Sequence, residues 1–96
     1  MTCKECIDRL KSVEDHIKLK YEVKSISLFG STARGNNSED SDIDLFIDMP
    51  PKAFLLVELG FYLEKILGKS VDLVRASKQL NSVFLNEIKK DGITIF

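Results

Sequence analysis

Hydrophobic residues follow two different spacings along the chain, and these spacings divide it into short elements. Apolar side chains recur every three or four positions between Ile7 and Tyr21, as on one face of a helix. They alternate with polar side chains over 24–29 and 42–49, as in strands with one buried face. Together with the turn residues, the spacings predict a helix at 3–19, strands at 24–29 and 42–49, a helix at 53–67, a strand at 71–75, a helix at 77–90 and a strand at 93–96.

The alternation also assigns each strand side chain to a face of the sheet. Asp42 and Asp44 are two positions apart and therefore share a face. Asp72 falls on that face too, because both of its neighbours are apolar. The strand positions that we expect in the core are Ile26, Leu28, Ile43, Leu45, Ile47, Val71 and Leu73. We expect the helices to cover this apolar face and to leave the carboxylate face open.

Polar residues and glycine predict where the helices begin and end. Ser31 is placed to act as the N-cap of a helical turn over 31–34, and Ser77 as the N-cap of the last helix. Gly68 is placed to end the helix before it. In the last helix, we expect the apolar positions Leu80, Val83, Phe84 and Ile88 to be buried.

Composition is typical of a small globular protein. The 96 residues, 44% hydrophobic and 30% charged, fit one domain spanning 1–96. The net charge is −1 and the basic residues are spread along the chain, which argues against binding to long nucleic acid. No apolar run reaches the ~20 residues of a membrane span, and the first residues lack the apolar region of a signal peptide. We therefore expect a cytoplasmic protein without membrane contact.

Cys3 and Cys6 have C-x-x-C spacing, which occurs in zinc and redox sites. A structural zinc site normally needs four ligands, and the chain has no second cysteine pair and one histidine, His16. A thioredoxin-type pair would follow a strand rather than open the chain. We interpret Cys6 as part of the apolar face of the first helix, Cys3 as an incidental thiol and His16 as a surface residue.

The turn between the first two strands carries the candidate chemistry. A strand ends in Gly30-Ser31, ten residues follow, and Asp42-x-Asp44 opens the next strand. Neighbouring carboxylates repel each other unless a cation lies between them, and carboxylate oxygens suit Mg²⁺. The turn offers backbone N–H groups and a hydroxyl to phosphate oxygens. Each half of this pattern is common on its own, but the two together with an in-phase Asp72 are specific.

A phosphate-binding turn beside carboxylates suits nucleotidyl transfer. A hydroxyl attacks the α-phosphorus of a nucleoside triphosphate and pyrophosphate leaves, with two Mg²⁺ ions about 3.5–4 Å apart stabilising the attacking and leaving oxygens. Asp72 would complete the metal site on the nucleophile side and receive the hydroxyl proton. The predicted site residues are Asp42, Asp44 and Asp72 for catalysis and metal binding, and Gly30, Ser31 and Arg34 for nucleotide binding.

At these residues the chain resembles the DNA polymerase β-type nucleotidyltransferase superfamily. The segments Gly-Ser-Thr-Ala-Arg-Gly and Ser-Asp-Ile-Asp-Leu are similar to its minimal nucleotidyltransferase (MNT) branch, and Asp72 in Val-Asp-Leu-Val matches the third carboxylate of the family. The resemblance covers nearly the whole chain. It implies an α+β fold with a small mixed sheet and helices packed on one face, two Mg²⁺ ions, and ATP or another NTP as substrate. It also implies an antitoxin that transfers AMP to a tyrosine of a HEPN-domain toxin.

Two other functions are compatible with the sequence. The domain could be a non-catalytic antitoxin that masks a partner sterically, although intact carboxylates argue against a purely steric role. It could instead modify a small molecule such as an antibiotic, and it would then need a homo-oligomer or a second subunit to close the pocket. A single small domain has little surface to define an acceptor, so we expect a partner protein to present it.

Overall fold

Five helices and four strands make up the parts of the chain that this computed structural model describes, residues 1–38, 40–77 and 82–96. In chain order they are α1 (Cys3–Ser12), α2 (Glu14–Lys20), β1 (Ser25–Phe29), α3 (Gly30–Arg34), β2 (Ile43–Asp48), α4 (Ala53–Leu67), β3 (Val71–Arg75), α5 (Ser82–Asp91) and β4 (Ile93–Thr94). The strands lie where the alternation predicts them, and α4 has the predicted bounds. Within the described ranges, none of the helices is long and apolar enough to cross a membrane.

The four strands form one mixed sheet in the order β3-β2-β1-β4. Strand β2 runs antiparallel to β1 and parallel to β3, while β4 runs antiparallel to β1. The register pairs Phe29 with Asp44 and Asp44 with Asp72, so these three residues lie side by side across three strands. The fold class predicted from the sequence, α+β with a small mixed sheet, is confirmed.

The hydrophobic core lies between one face of the sheet and the helices α1, α2 and α4. Its fully buried members are Cys6, Leu10 and Ile17 from the first two helices, Leu59, Leu63 and Leu67 from α4, and Ile26, Leu28, Ile43, Leu45 and Ile47 from the strands. Val71 and Leu73 are half-buried and pack against this cluster. Gly68 ends α4 in the left-handed conformation, with φ +68°, as predicted. The apolar face of the sheet is therefore the covered one.

The predicted helix at 3–19 is wrong in one respect, because it is two helices. The backbone leaves the helical conformation at Val13, with φ −115° and ψ 15°. The Ser12 hydroxyl donates a hydrogen bond of 2.6 Å to the Arg9 carbonyl oxygen one turn earlier. Such back-bonding from serine bends a helix, and the bend lets Ile17 of α2 reach the core.

Two further expectations about helices are corrected. Ser31 is not an N-cap, because α3 begins at Gly30 and its N-cap residue is Phe29. Val83 is not buried but 64% exposed. The reason is that α5 does not join the main core. Its Phe84 ring packs edge-on against Phe29, which lies on the carboxylate face. The predicted start of this helix after Ser77 and the predicted burial of Leu80 fall at 78–81, outside the described residues.

Cys6 behaves as the apolar residue that its position predicts. It is fully buried in the core, Cys3 is half-buried, and both thiols are free. Burial raises the pKa of the Cys6 thiol from 9.0 to about 11. His16 is exposed on α2, as predicted, beside the ring of Tyr62.

We expect Cys6 in the native protein to resist alkylation, because the thiolate is the reactive form. At pH 8 the raised pKa leaves on the order of 100-fold less thiolate than an ordinary thiol has. Iodoacetamide labelling followed by peptide mass spectrometry should modify Cys3 first, and Cys6 only after denaturation. Equal labelling of both thiols in the native protein would contradict this interpretation.

Candidate active site

Strand pairing brings two of the three predicted carboxylates, those of Asp44 and Asp72, to one face of the sheet. Asp44 in β2 is the register partner of Asp72 in β3. Neighbouring strands lie about 4.8 Å apart, and paired residues point to the same face. Asp42 lies just before β2, at a point where the Ile43 N–H donates a 2.9 Å hydrogen bond to the Ser70 carbonyl oxygen. Asp44 is half-buried, while Asp42 and Asp72 are exposed.

The electrostatics of Asp44 show that the carboxylates act on one another. Burial raises the pKa of Asp44 above its usual 3.8, and the negative charges of Asp72 and Asp42 raise it further. The positive charge of Arg34 lowers it and is the smallest of these effects. Because the charged form of Asp44 is disfavoured, a cation placed among these carboxylates would stabilise it.

These carboxylates are suitable ligands for Mg²⁺, which binds oxygen and is usually held by one or two carboxylates together with substrate phosphates. In the ranges that the structure covers, no three His, Cys, Asp or Glu side chains are grouped closely enough to be recognised as a metal site. Neighbouring carboxylates repel each other, and a cation between them offsets that repulsion. The donor chemistry of Asp42, Asp44 and Asp72 thus fits a divalent cation that arrives with a nucleotide.

Gly30 forms the turn between β1 and α3 in direct contact with Asp44. Its φ is +74°, a conformation that L side chains rarely adopt. A Cβ atom at Gly30 would come within 3.0 Å of Asp44 Cγ and closer still to Asp44 Oδ2. The carboxylate therefore occupies the space that a side chain would need, so only glycine fits between the turn and β2.

The rest of α3 presents the other predicted nucleotide-binding residues. Ser31 is half-buried in the first turn of α3, and Arg34 is exposed at its last residue. In the described chain, no side chain caps the first N–H groups of α3, since its N-cap residue is Phe29. Backbone donors, a hydroxyl and a guanidinium therefore lie next to the carboxylates.

A cavity of about 300 Å³ lies beside this turn. Its lining residues are Phe29, Gly30, Arg34, Phe84, Glu87, Ile88, Lys90 and Asp91. The α5 residues among them were not predicted to belong to the site. The signal was present in the spacing of Phe84, Glu87, Ile88 and Asp91, which share one helical face. That face is half polar, unlike a face that joins a hydrophobic core.

Comparison with known proteins shows the family. The model of the nucleotidyltransferase domain matches residues 10–95. A relative from Methanocaldococcus jannaschii, named "putative protein adenylyltransferase", is 40% identical over 98 residues, with 98% of each chain covered. The protein adenylyltransferase MntA of Thermococcus cleftensis is 37% identical over 79 residues, with 80% of each chain covered.

Solved structures show the same fold. A structure described as a "putative minimal nucleotidyltransferase" has a TM-score of 0.79 and 26% identity, and the match covers 97% of this chain and 95% of that one. A toxin–antitoxin structure with AMP-PNP has a TM-score of 0.70 and 22% identity, covering 100% of this chain and 73% of that one. The Shewanella oneidensis complex of a tri-AMPylated HEPN toxin with its MNT antitoxin has a TM-score of 0.68 and 20% identity, and the match covers 99% of this chain and 72% of that one. On the sequence match over 10–95 and the full-length relatives, this chain belongs to the nucleotidyltransferase domain family.

Proposed function

We propose that this protein is an adenylyltransferase that transfers AMP from ATP to a hydroxyl of a partner protein, and that it is the antitoxin of a HEPN toxin. The observation that carries the proposal is the contact of Gly30 with Asp44, which is itself paired with Asp72. This contact sets the proposed phosphate-binding turn directly against Asp44, next to which Asp72 lies on the neighbouring strand. Relatives of nearly the same length are named protein adenylyltransferases, which supports the same activity here.

The residues of the turn bind and orient the triphosphate. Backbone N–H groups at Gly30 and Ser31 and the Ser31 hydroxyl donate hydrogen bonds to phosphate oxygens, and Arg34 adds a positive charge nearby. The positive φ of Gly30 and the Asp44 carboxylate packed against it define the shape of the turn. Preorganised donors of this kind stabilise charge without reorganising during the reaction.

In this proposal the reacting atoms meet at the carboxylates. The acceptor oxygen forms a bond to the α-phosphorus, the bond from that phosphorus to the β-phosphate oxygen breaks, and pyrophosphate leaves. Asp72 lies on the side of Asp44 away from Phe29 and Gly30, and it takes the acceptor proton in this proposal. Asp42 and Asp44 would hold two Mg²⁺ ions, which would supply positive charge to the phosphate oxygens. Asp72 would complete the site of the ion on the acceptor side.

We expect Mg²⁺ to raise the melting temperature of the wild type, because a ligand that binds only the folded state stabilises it by mass action. At 100 times the dissociation constant, the stabilisation is about 2.7 kcal/mol. In Asp44→Asn the response should be much smaller. Differential scanning fluorimetry with a series of MgCl₂ concentrations measures it, with KCl at matched ionic strength as the control. An equal Mg²⁺ response in both proteins would argue against these ligands.

The proposed partner is a helical HEPN toxin, and the proposed acceptor is a tyrosine hydroxyl. The support comes from solved structures of the same fold, which are complexes of a HEPN toxin with an MNT antitoxin, one of them with the toxin AMPylated. Since the reaction consumes ATP, we place it in the cytoplasm. Incubating the chain with [α-³²P]ATP, Mg²⁺ and the product of the neighbouring gene tests the proposal. Label on that product, removed by Asp44→Asn, is the expected result, and absence of label would refute it.

One observation favours a second function, that of a binding module that masks its partner. Three large apolar side chains on one stripe of α4, Phe54, Val57 and Phe61, are exposed, Phe54 to 87%. Exposed apolar patches of this kind mark protein interaction sites. A variant with Asp42, Asp44 and Asp72 all changed to Asn distinguishes the two functions. Protection of cells from the toxin by this variant would favour masking, and loss of protection would favour catalysis.

A further inference from the structure

The cavity between β1, α3 and α5 shares Gly30 and Arg34 with the proposed phosphate-binding turn, but its other lining residues have no part in the chemistry described above. Gly30 lines the cavity and also contacts Asp44. A nucleotide with its phosphates at the Gly30 turn would therefore lie next to this cavity. Its volume of about 300 Å³ is at the lower end for small-molecule sites.

The walls of the cavity suit an aromatic base. Phe29 and Phe84 meet edge to face with their ring centroids 5.6 Å apart, and Ile88 lies next to them in the lining. Phe84 is half-buried, so part of its surface remains accessible. Stacking on an aromatic side chain is a common way for proteins to hold a nucleobase.

The charges of the lining argue against the triphosphate as the occupant. Arg34 and Lys90 are positive, while Glu87 and Asp91 are negative, so the lining has no net charge. A triphosphate would meet two carboxylates there without excess positive charge to offset them. A neutral base meets no such repulsion.

The order of the strands also indicates that the occupant of the cavity is the nucleotide and not the acceptor. Asp72 lies on β3 and Phe29 on β1, on opposite sides of Asp44 in β2. The proposed function brings the acceptor hydroxyl to Asp72. The cavity beside Phe29 is therefore on the nucleotide's side of the carboxylates.

We propose that this cavity is the base pocket of the enzyme, with Phe84 as the stacking residue and Glu87 as the residue that selects the base. Glu87 lies three residues after Phe84 on the same face of α5 and lines the same cavity. An ionised carboxylate only accepts hydrogen bonds. It therefore favours the exocyclic amino group of adenine over the edge of uracil, where the single N3–H donor lies between two carbonyl oxygens that repel a carboxylate. The inference rests on the proposed nucleotidyl transfer and specifies its substrate.

Calorimetric titration of the full chain with ATP, UTP and inorganic triphosphate in Mg²⁺ tests the pocket. For Phe84→Ala we expect ATP affinity to fall about tenfold or more, as for the loss of one base–aromatic stack, with triphosphate affinity unchanged. For Glu87→Gln we expect the preference for ATP over UTP to narrow several-fold, again with triphosphate unchanged. Glu58→Gln, an exposed change of the same kind on α4, is the control and should alter none of these affinities.

The outcomes separate the pocket from the reaction. If Phe84→Ala weakens ATP and triphosphate equally, the cavity holds phosphates or supports the turn, and the base pocket is wrong. If Phe84→Ala fails to fold, Glu87→Gln decides alone, and an unchanged ATP-to-UTP ratio overturns the proposal. If the wild type transfers no label but binds ATP as expected, the pocket stands and the proposed function fails.

Discussion

Asp44→Asn is expected to lower the rate of AMP transfer about 10²- to 10³-fold, the usual effect of removing one preorganised charged or polar group from an active site. Asp44 contacts the glycine turn on one side and pairs with Asp72 on the other. It therefore links the proposed phosphate-binding turn to the proposed metal site. Asparagine keeps its shape and removes its charge. Single-turnover transfer of labelled AMP to the partner protein measures the effect.

The same variant should not lose stability at neutral pH in the absence of divalent metal. The folded-state pKa of Asp44 is raised, so its contribution to stability is fully present below the unfolded pKa near 3.8 and is lost as pH rises through the folded pKa. The free energy of unfolding of the wild type should therefore decline as the pH rises through that window. Asp44→Asn should lack this part of the decline. Chemical denaturation in EDTA between pH 3.5 and 7 measures the difference between the two proteins.

Asp48→Asn is the matched control for both measurements. Asp48 is on the same strand and in phase with Asp44, but it is exposed at the far end of β2 and pairs with Ser25. It should retain transfer and show no such difference in pH dependence. If Asp44→Asn transfers AMP at the wild-type rate, or if it is strongly destabilised at pH 7, the assigned role of Asp44 is wrong.

Gly30→Ala should abolish most of the activity and also destabilise the fold. The new methyl group meets the Asp44 carboxylate. In addition, the positive φ at position 30 costs an L residue roughly 1–2 kcal/mol. Because either the turn or Asp44 must move, we expect transfer to fall about 10²-fold or more, as for small misplacements of catalytic groups. Transfer assays combined with thermal unfolding measure the two effects.

Gly68→Ala separates backbone strain from the clash. Gly68 has nearly the same positive φ, +68°, but an added Cβ atom would meet no described atom within 4 Å. It lies at the end of α4, on the core side of the sheet. We expect a stability loss of about 1 kcal/mol or slightly more with transfer retained. Equal losses of activity in both glycine variants would show that strain alone, and not the contact with Asp44, explains Gly30.

The strands and the face of each carboxylate were predictable because a period of two leaves little freedom. Once Ile43, Leu45 and Ile47 require burial, Asp42 and Asp44 must face the other way. Pairing of Asp44 with Asp72 needed only the additional inference that β3 adjoins β2. Local rules of this kind depend on neighbours in sequence, which is why they succeeded for the sheet and for α4.

The failures involve two interactions that the spacing of apolar residues does not report, one local and one between residues far apart in sequence. The break at Val13 depends on a hydroxyl competing for a backbone carbonyl, and apolar spacing alone does not report that competition. The packing of α5 was misjudged because Phe84 has an aromatic partner, Phe29, on the face assumed to be open. Consequently Glu87 and Lys90 were overlooked, since charged residues on a helix are usually only solvated.

Strand β3 lies at the edge of the sheet, and its opening would be an early step in the loss of activity. Asp72 lies on this edge strand, which pairs with β2 alone among the described strands, whereas Asp44 lies on the inner strand β2 and Gly30 directly follows the inner strand β1. A β-sheet opens first at its edge strands, because an edge strand is hydrogen-bonded to a neighbouring strand on one side only. Partial opening would therefore remove Asp72 from the proposed site while the proposed nucleotide-binding turn stays in place, leaving a species able to bind ATP but not to transfer AMP.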